Sequence, residues 1–230
     1  MSGLETQGEA VAVIGMAGRF PQAANLGEFW RNLKNGTESV SFFTDDELRR
    51  SPFEEPPPPG DPNFVKARAV LERPEWFDAA FFNLTPREAE IMDPQHRIFL
   101  ECAWEALENA GCNPDACEGM IGVFAGASMN TYLLANLLAN PSSPVRGDAF
   151  QLLLASEKDF LTTRVSYKLN LRGPSVNVQT ACSTSLVAVC LACQNLLTYQ
   201  CDLALAGGVS VTFPQKKGLL HQEGGIISPD

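Results

Sequence analysis

Val11 to Ile14 is a run of four apolar residues closed by Gly15, the pattern of a short buried strand. Leu26, Phe29, Trp30 and Leu33 then fall at i, i+3, i+4 and i+7, one face of a helix. Asn25 through Glu28 has capping-box spacing ahead of it, and Gly36 ends it. Periodicity fades over 45–75. There the proline run Pro56 to Pro59 and Gly60-Asp61-Pro62 predict a surface excursion, because aromatic-rich sequence resumes at Trp76; a flexible linker is the alternative. Thr85-Pro86-Arg87-Glu88 and Asp93-Pro94 each open a helix with proline at its first position. The second helix carries Ile98, Phe99, Cys102, Ala103, Leu107 and Ala110, and stops at Gly111. Ile121 to Ala125 reads as a strand, and 131–139 and 159–169 read as helices, the latter with Leu161, Val165 and Leu169 on one face. The alternating stretch from Ser175 is a strand, and Leu186 to Cys193 reads as a buried helix. Leu203 to Val211 is a strand interrupted by Gly207-Gly208, where another backbone comes close. Strands alternating with helices and no internal repeat predict an α/β fold around a buried sheet.

The 230 residues suffice for one large domain or two small ones, and 45% apolar residues can fill a core. No run reaches the roughly 18 apolar residues of a membrane-spanning helix. Met1 to Ala10 is polar and acidic, unlike a secretory signal. Lysine and arginine number 17 against 27 acids, a net charge of −10, which argues against nucleic acid as a partner. The expectation is therefore a cytoplasmic chain without membrane attachment. Its seven cysteines are an odd set with no regular framework, expected to be reduced thiols and mostly small buried hydrophobes.

One cysteine stands apart. Cys182 lies where the strand from Ser175 meets the apolar helix, flanked by Ala181 and Ser183. Free N–H groups and the positive end of a helix favour a thiolate at such a corner, a candidate acyl-accepting nucleophile. Cys190 and Cys193 match C-x-x-C, but in the middle of an apolar helix, where core packing is the better reading than a redox or zinc site. The segment Val13 to Gly18 lacks dinucleotide-loop spacing and reads as a tight turn. Of the two histidines, His96 follows a helix start and reads as structural or surface, and His221 as solvent-facing; neither is a convincing base for Cys182. The sequence ends in the turn-like Gly224-Gly225-Ile226-Ile227-Ser228-Pro229-Asp230, so these residues read as the first part of a longer chain.

Several blocks in order resemble the β-ketoacyl synthase (ketosynthase) domain of modular type I polyketide synthases, in its N-terminal part. They are Val11 to Pro21, Phe77 to Phe82, Pro86 to Ala89, Met92 to Arg97, Thr180 to Leu186 and Ala206 to Val209. The likeness covers the chain from about residue 10, leaving 1–9 as a leader and 10–230 as a domain cut before its C-terminal half. It implies a thiolase-like fold: two βαβαβαββ halves stacked as α/β/α/β/α layers, of which this is the first, in a homodimer. The strand before Cys182 is similar to the one that pairs across that dimer axis.

The resemblance also implies chemistry. Cys182 would take an acyl chain from the phosphopantetheine arm of an acyl carrier protein, and its backbone N–H would form part of an oxyanion hole. A malonyl-type extender would then lose carbon dioxide, and its enolate would attack the thioester. Partners would be the carrier protein, a second copy and other polyketide synthase domains, with no cofactor bound by the domain itself. The thiol should stand at a helix end and beside a tunnel. The family's catalytic histidines, and the lysine accompanying one of them, lie beyond the equivalent of Asp230. Gln179 stands where an aspartate is commoner, and Thr184 where serine is commoner. Two alternatives remain: a non-catalytic dimerisation or carrier-docking module, and a thiol hydrolase using Cys182 with His96 or His221.

Overall fold

In a computed structural model the described residues are 10–50, 57, 58, 60–140 and 149–229. The expected leader 1–9, Pro56 and Pro59 of the proline run, and Asp230 lie outside them. In chain order the elements are α1 (Leu26–Asn35), β1 (Ser41–Phe42), β2 (Phe64–Val65), β3 (Ala67–Arg68), α2 (Pro86–Ile91), α3 (Pro94–Asn109) and β4 (Ile121–Ala127). There follow α4 (Ala149–Ser156), α5 (Leu161–Lys168), β5 (Ser175–Asn177), α6 (Thr184–Leu197), β6 (Leu203–Val209) and β7 (Leu219–Leu220). The helix expected over 131–139 is a wide turn, Leu133–Leu138, wound with i→i+5 bonds.

The core is a parallel sheet in the order β5-β4-β6. Parallel neighbours need crossover helices. The chain passes from β4 to β5 through α5 on one face, and from β5 over β4 to β6 through α6 on the other. β4 is central, and all seven of its residues are buried. Because strand side chains alternate, Ile121, Val123, Ala125 and Ala127 pack with Phe99, Leu100, Ala103 and Leu107 of α3 and Leu161 and Val165 of α5. Phe124 points the other way, to Ala188 and Ala192 of α6. Helix, sheet and helix thus form three successive layers. Each fully buried leucine or phenylalanine here contributes about 1.5–3 kcal/mol.

Local chemistry sets the helix ends. Thr85 and Glu88 form a reciprocal capping box at α2, and Asp93 accepts from the Gln95 N–H at the start of α3. Gly111, at φ +65°, takes the left-handed turn that stops α3. In α1 the Asn25 side chain accepts from the Glu28 N–H at 2.9 Å, but Glu28 answers to Ala24, one residue before the cap.

Several expectations are corrected. Val11 to Ile14 forms no strand: Val13 is 77% exposed, and the Met16 N–H donates to Asn109 at the end of α3. A strand exists only through a ladder partner, and among the described residues the sheet offers this segment none. Nor is Val13 to Gly18 a tight turn. The turn comes later, where Phe20 and Ala23 exchange backbone bonds around left-handed Gln22. The apolar faces of α1 and α6 are real but incompletely covered, so Trp30, Leu33, Leu186 and Val189 are exposed. α6 is therefore not a buried helix, and Cys190 lies on its open side, not in the core. Only Cys201 of the seven cysteines is buried. The strand β6 runs unbroken through Gly207 and Gly208. The residues flanking the proline run behave as an excursion tied back to the domain: β2 pairs with β7, and the Arg49 N–H donates to the Lys216 carbonyl at 2.7 Å.

Candidate active site

The strand β5 ends at Asn177, and the Val178 N–H continues its pairing to the Ala125 carbonyl at 2.8 Å. Val178 is buried against Phe124, Ala188 and Ala192. The carbonyl of Val178 presses on Gly126 of β4, an approach only a residue without a β-carbon allows. From there the main chain leaves the sheet. Thr180 and left-handed Ala181 (φ +52°) turn it into a single 3₁₀ turn, Ala181–Ser183, and Thr184 begins α6. A left-handed alanine costs about 1–2 kcal/mol. The turn offsets this with bonds on both sides of Thr180: its N–H donates to Thr184 Oγ1 at 3.0 Å, and its carbonyl accepts from Ser183 Oγ at 2.8 Å.

Cys182 occupies this turn, exposed, one residue before Ser183, the N-cap of α6. The positive end of that helix's dipole favours negative charge nearby, although the Thr184 N–H is itself taken by the Ala181 carbonyl. On the far side Gly208 lets the first turn of α6 settle on β6; a β-carbon there would stand 3.3 Å from Ser185 Cβ. The expected helix end is present. Cys182 lines neither the cleft bounded by Arg49, Phe213 and Lys216 nor the one bounded by Arg19, Trp76 and Glu101.

His96 is structural, not superficial. It is 1% exposed on α3, whose core partners lie on the opposite face of the sheet from α6. Among the described residues neither ring nitrogen has a hydrogen-bond partner. Burial, with Arg164 adding to it, lowers the imidazole pKa to about 3, so the ring is neutral. His221 is half-buried instead of solvent-facing, with Nδ1 2.8 Å from the Ile227 carbonyl. The structure does not join either histidine to Cys182. No group of three or more histidine, cysteine or acidic side chains fit for a metal occurs among the described residues, Cys190 and Cys193 included.

Sequence reasoning passed over Gln95. Its Oε1 accepts from Ser128 Oγ at 2.6 Å and from the Val211 N–H at 3.3 Å, so one carboxamide on α3 holds the ends of β4 and β6. Beside it, burial raises the Asp93 pKa to about 6, against the two bonds it accepts from Gln95. The only available signal was a glutamine two residues after a helix-start aspartate. Gly126, inside an apolar strand, was a further sign of close backbone approach.

The model of the β-ketoacyl synthase N-terminal domain family matches residues 8–230. A phenolphthiocerol/phthiocerol polyketide synthase of Mycobacterium tuberculosis is 46% identical over 95% of this chain, which spans 15% of that protein. Polyketide synthase ThaG of Burkholderia thailandensis is 40% identical over 96% of the chain, which spans 4% of it. Among solved structures, ketosynthase twelve of the bacillaene polyketide synthase from Bacillus amyloliquefaciens superposes with a TM-score of 0.81 at 32% identity. That match covers 95% of this chain and 36% of the ketosynthase. The fold is thus the thiolase-like α/β fold of the ketosynthases, and the chain belongs to the β-ketoacyl synthase N-terminal domain family.

Proposed function

We propose that these residues carry the nucleophile of a condensing domain in a polyketide synthase. The observation that carries this reading is Cys182, exposed in the turn between a parallel strand and the start of α6. The Cys182 thiolate attacks the thioester carbonyl of an acyl group on a carrier protein's phosphopantetheine and expels the phosphopantetheine thiol. A malonyl-type extender on carrier protein then loses carbon dioxide. Its enolate attacks the Cys182 thioester, releases the Cys182 thiolate, and leaves a 3-oxoacyl thioester two carbons longer. The Cys182 N–H supplies one donor to the oxyanion that forms in each acyl transfer.

The acid–base groups for decarboxylation are assigned, by family resemblance, to the part of the domain beyond these residues. Buried His96 and carbonyl-bound His221 do not replace them. A homodimer and docking to acyl carrier protein belong to the same proposal, as does a cytoplasmic setting. Among the described residues no helix is long and apolar enough to cross a membrane.

The test is mass measurement of the complete synthase after incubation with an acyl thioester. One acyl group should appear on the peptide holding Cys182 and vanish in Cys182→Ala, while Cys190→Ala and Cys193→Ala keep it. An acyl adduct that persists in Cys182→Ala overturns the assignment.

A further inference from the structure

At the Cys182 corner the sheet pairing outlasts the backbone of β5. Asn177 lies opposite Ala125, and the Val178 N–H still bonds the Ala125 carbonyl. One residue later the main chain has turned away and the Gln179 side chain takes over. Only one orientation of its amide satisfies both ends. In it, Nε2 donates to the Ala127 carbonyl at 3.0 Å and Oε1 accepts from the Ala127 N–H at 3.2 Å. A carboxamide carries a donor and an acceptor side by side, as a peptide unit does. Gln179 thus pairs with β4 as the next residue of a strand would. From the other side Gln95 holds Ser128, the residue after Ala127. The end of β4 is clasped between two glutamines, one on α3 and one on the cysteine turn.

We infer that Gln179 is a positioning residue for Cys182. The bonds among Thr180, Ser183 and Thr184 close the turn on itself and fix its shape, but none of them reaches the sheet. Past Val178, the two bonds from Gln179 to Ala127 supply that tether. They hold the left-handed Ala181, and hence the Cys182 N–H and Sγ, at a fixed place relative to β4. An alanine at 179 removes both bonds. A glutamate of the same length keeps the acceptor but sets a second acceptor against the Ala127 carbonyl.

This placement rests on the acyl-transfer reading for what Cys182 does, and on geometry alone for how it is held. The test uses the complete synthase with Gln179→Ala and Gln179→Glu, and reads two rates at Cys182: acylation by an acyl N-acetylcysteamine thioester, and alkylation by iodoacetamide. Cys201, 3% exposed, reports unfolding, since it labels only when the fold opens. In Gln179→Ala the acylation kcat should fall about 10- to 100-fold with KM moving less than about twofold. Cys182 alkylation should change several-fold while Cys201 stays unlabelled, and Gln179→Glu should follow in the same direction. Wild-type rates of both reactions in both variants overturn the inference. If wild-type Cys182 is alkylated but never acylated, the functional reading fails, and the alkylation ratio still decides the role of Gln179. If Gln179→Ala opens the fold, Gln179→Glu decides by the same rates.

Discussion

Gly126 and Val178 are pressed together where the cysteine turn leaves the sheet: a β-carbon on Gly126 would stand 1.8 Å from the Val178 carbonyl oxygen and 2.6 Å from Thr184 Cγ2. Both clashing atoms belong to the segment that carries Cys182, so Gly126→Ala must push that segment off β4. The expected outcome is a loss of about 1–3 kcal/mol in stability, with acylation of Cys182 falling more steeply than the folded fraction. Denaturant titration alongside acylation kinetics checks both; a variant with wild-type stability and rate would show that the contact is not rigid.

Phe124 is 1% exposed and joins β4 to Val178, Ala188 and Ala192. Phe124→Ala should cost about 3–5 kcal/mol. Because the cavity opens beneath α6, protection of the α6 amides in hydrogen exchange should drop before that of α3.

His96 gives the stability a definite dependence on pH. Its folded pKa is lowered from 6.5 to about 3 by burial. The neutral ring therefore favours the folded state above pH 6.5, and that contribution is lost as pH falls from 6.5 toward 3. Asp93 runs the other way: with its pKa raised from 3.8 to about 6 by burial, its contribution is present below 3.8 and lost as pH rises through 6. Between about pH 6 and 4 the two oppose each other and nearly cancel, and the loss from His96 goes unopposed below 3.8. The urea midpoint of the wild type should therefore change little from about pH 6 to 4 and fall below that. In His96→Leu the midpoint should instead rise on acidification from about pH 6 to 4, since Asp93 is then unopposed; an unchanged profile would refute the assignment.

Leu186 and Val189 lie three residues apart on the outer side of α6, 66% and 46% exposed. Exposed apolar stripes of this kind drive association. The 230 residues expressed alone should bind a hydrophobic dye and self-associate at micromolar concentration. Leu186→Gln with Val189→Gln should reduce both without loss of helical signal, since glutamine is a good helix former. Sedimentation velocity and dye titration provide the check.

The parts of this fold that could be read in the sequence are those fixed by nearby residues. α3 is bounded by Asp93-Pro94 and Gly111, and the corner at Cys182 by an alternating strand, small residues and an apolar helix. What depended on distant partners was not readable. Val11 to Ile14 has a strand's composition but no ladder to join, and helical spacing shows which residues share a face without showing whether anything covers it, as Trp30 and Leu186 demonstrate. The apolar residues of α4 include exposed Phe150 and Leu153, so they do not mark a single covered face. Ala181 carries no mark of its left-handed backbone, because alanine does not prefer it. Gln179 shows its part only once Ala127 lies beside it.

The burial of β4 on both faces has a consequence for how this domain tolerates change. With all seven residues from Ile121 to Ala127 sealed in, a saturation library across the strand should yield almost no survivors bearing lysine, arginine, aspartate or glutamate. On adjacent β5, Val176 is exposed in the single chain, and it should admit them only where no second copy covers that strand. Tolerated substitutions should therefore gather at the rim of the sheet and away from its middle.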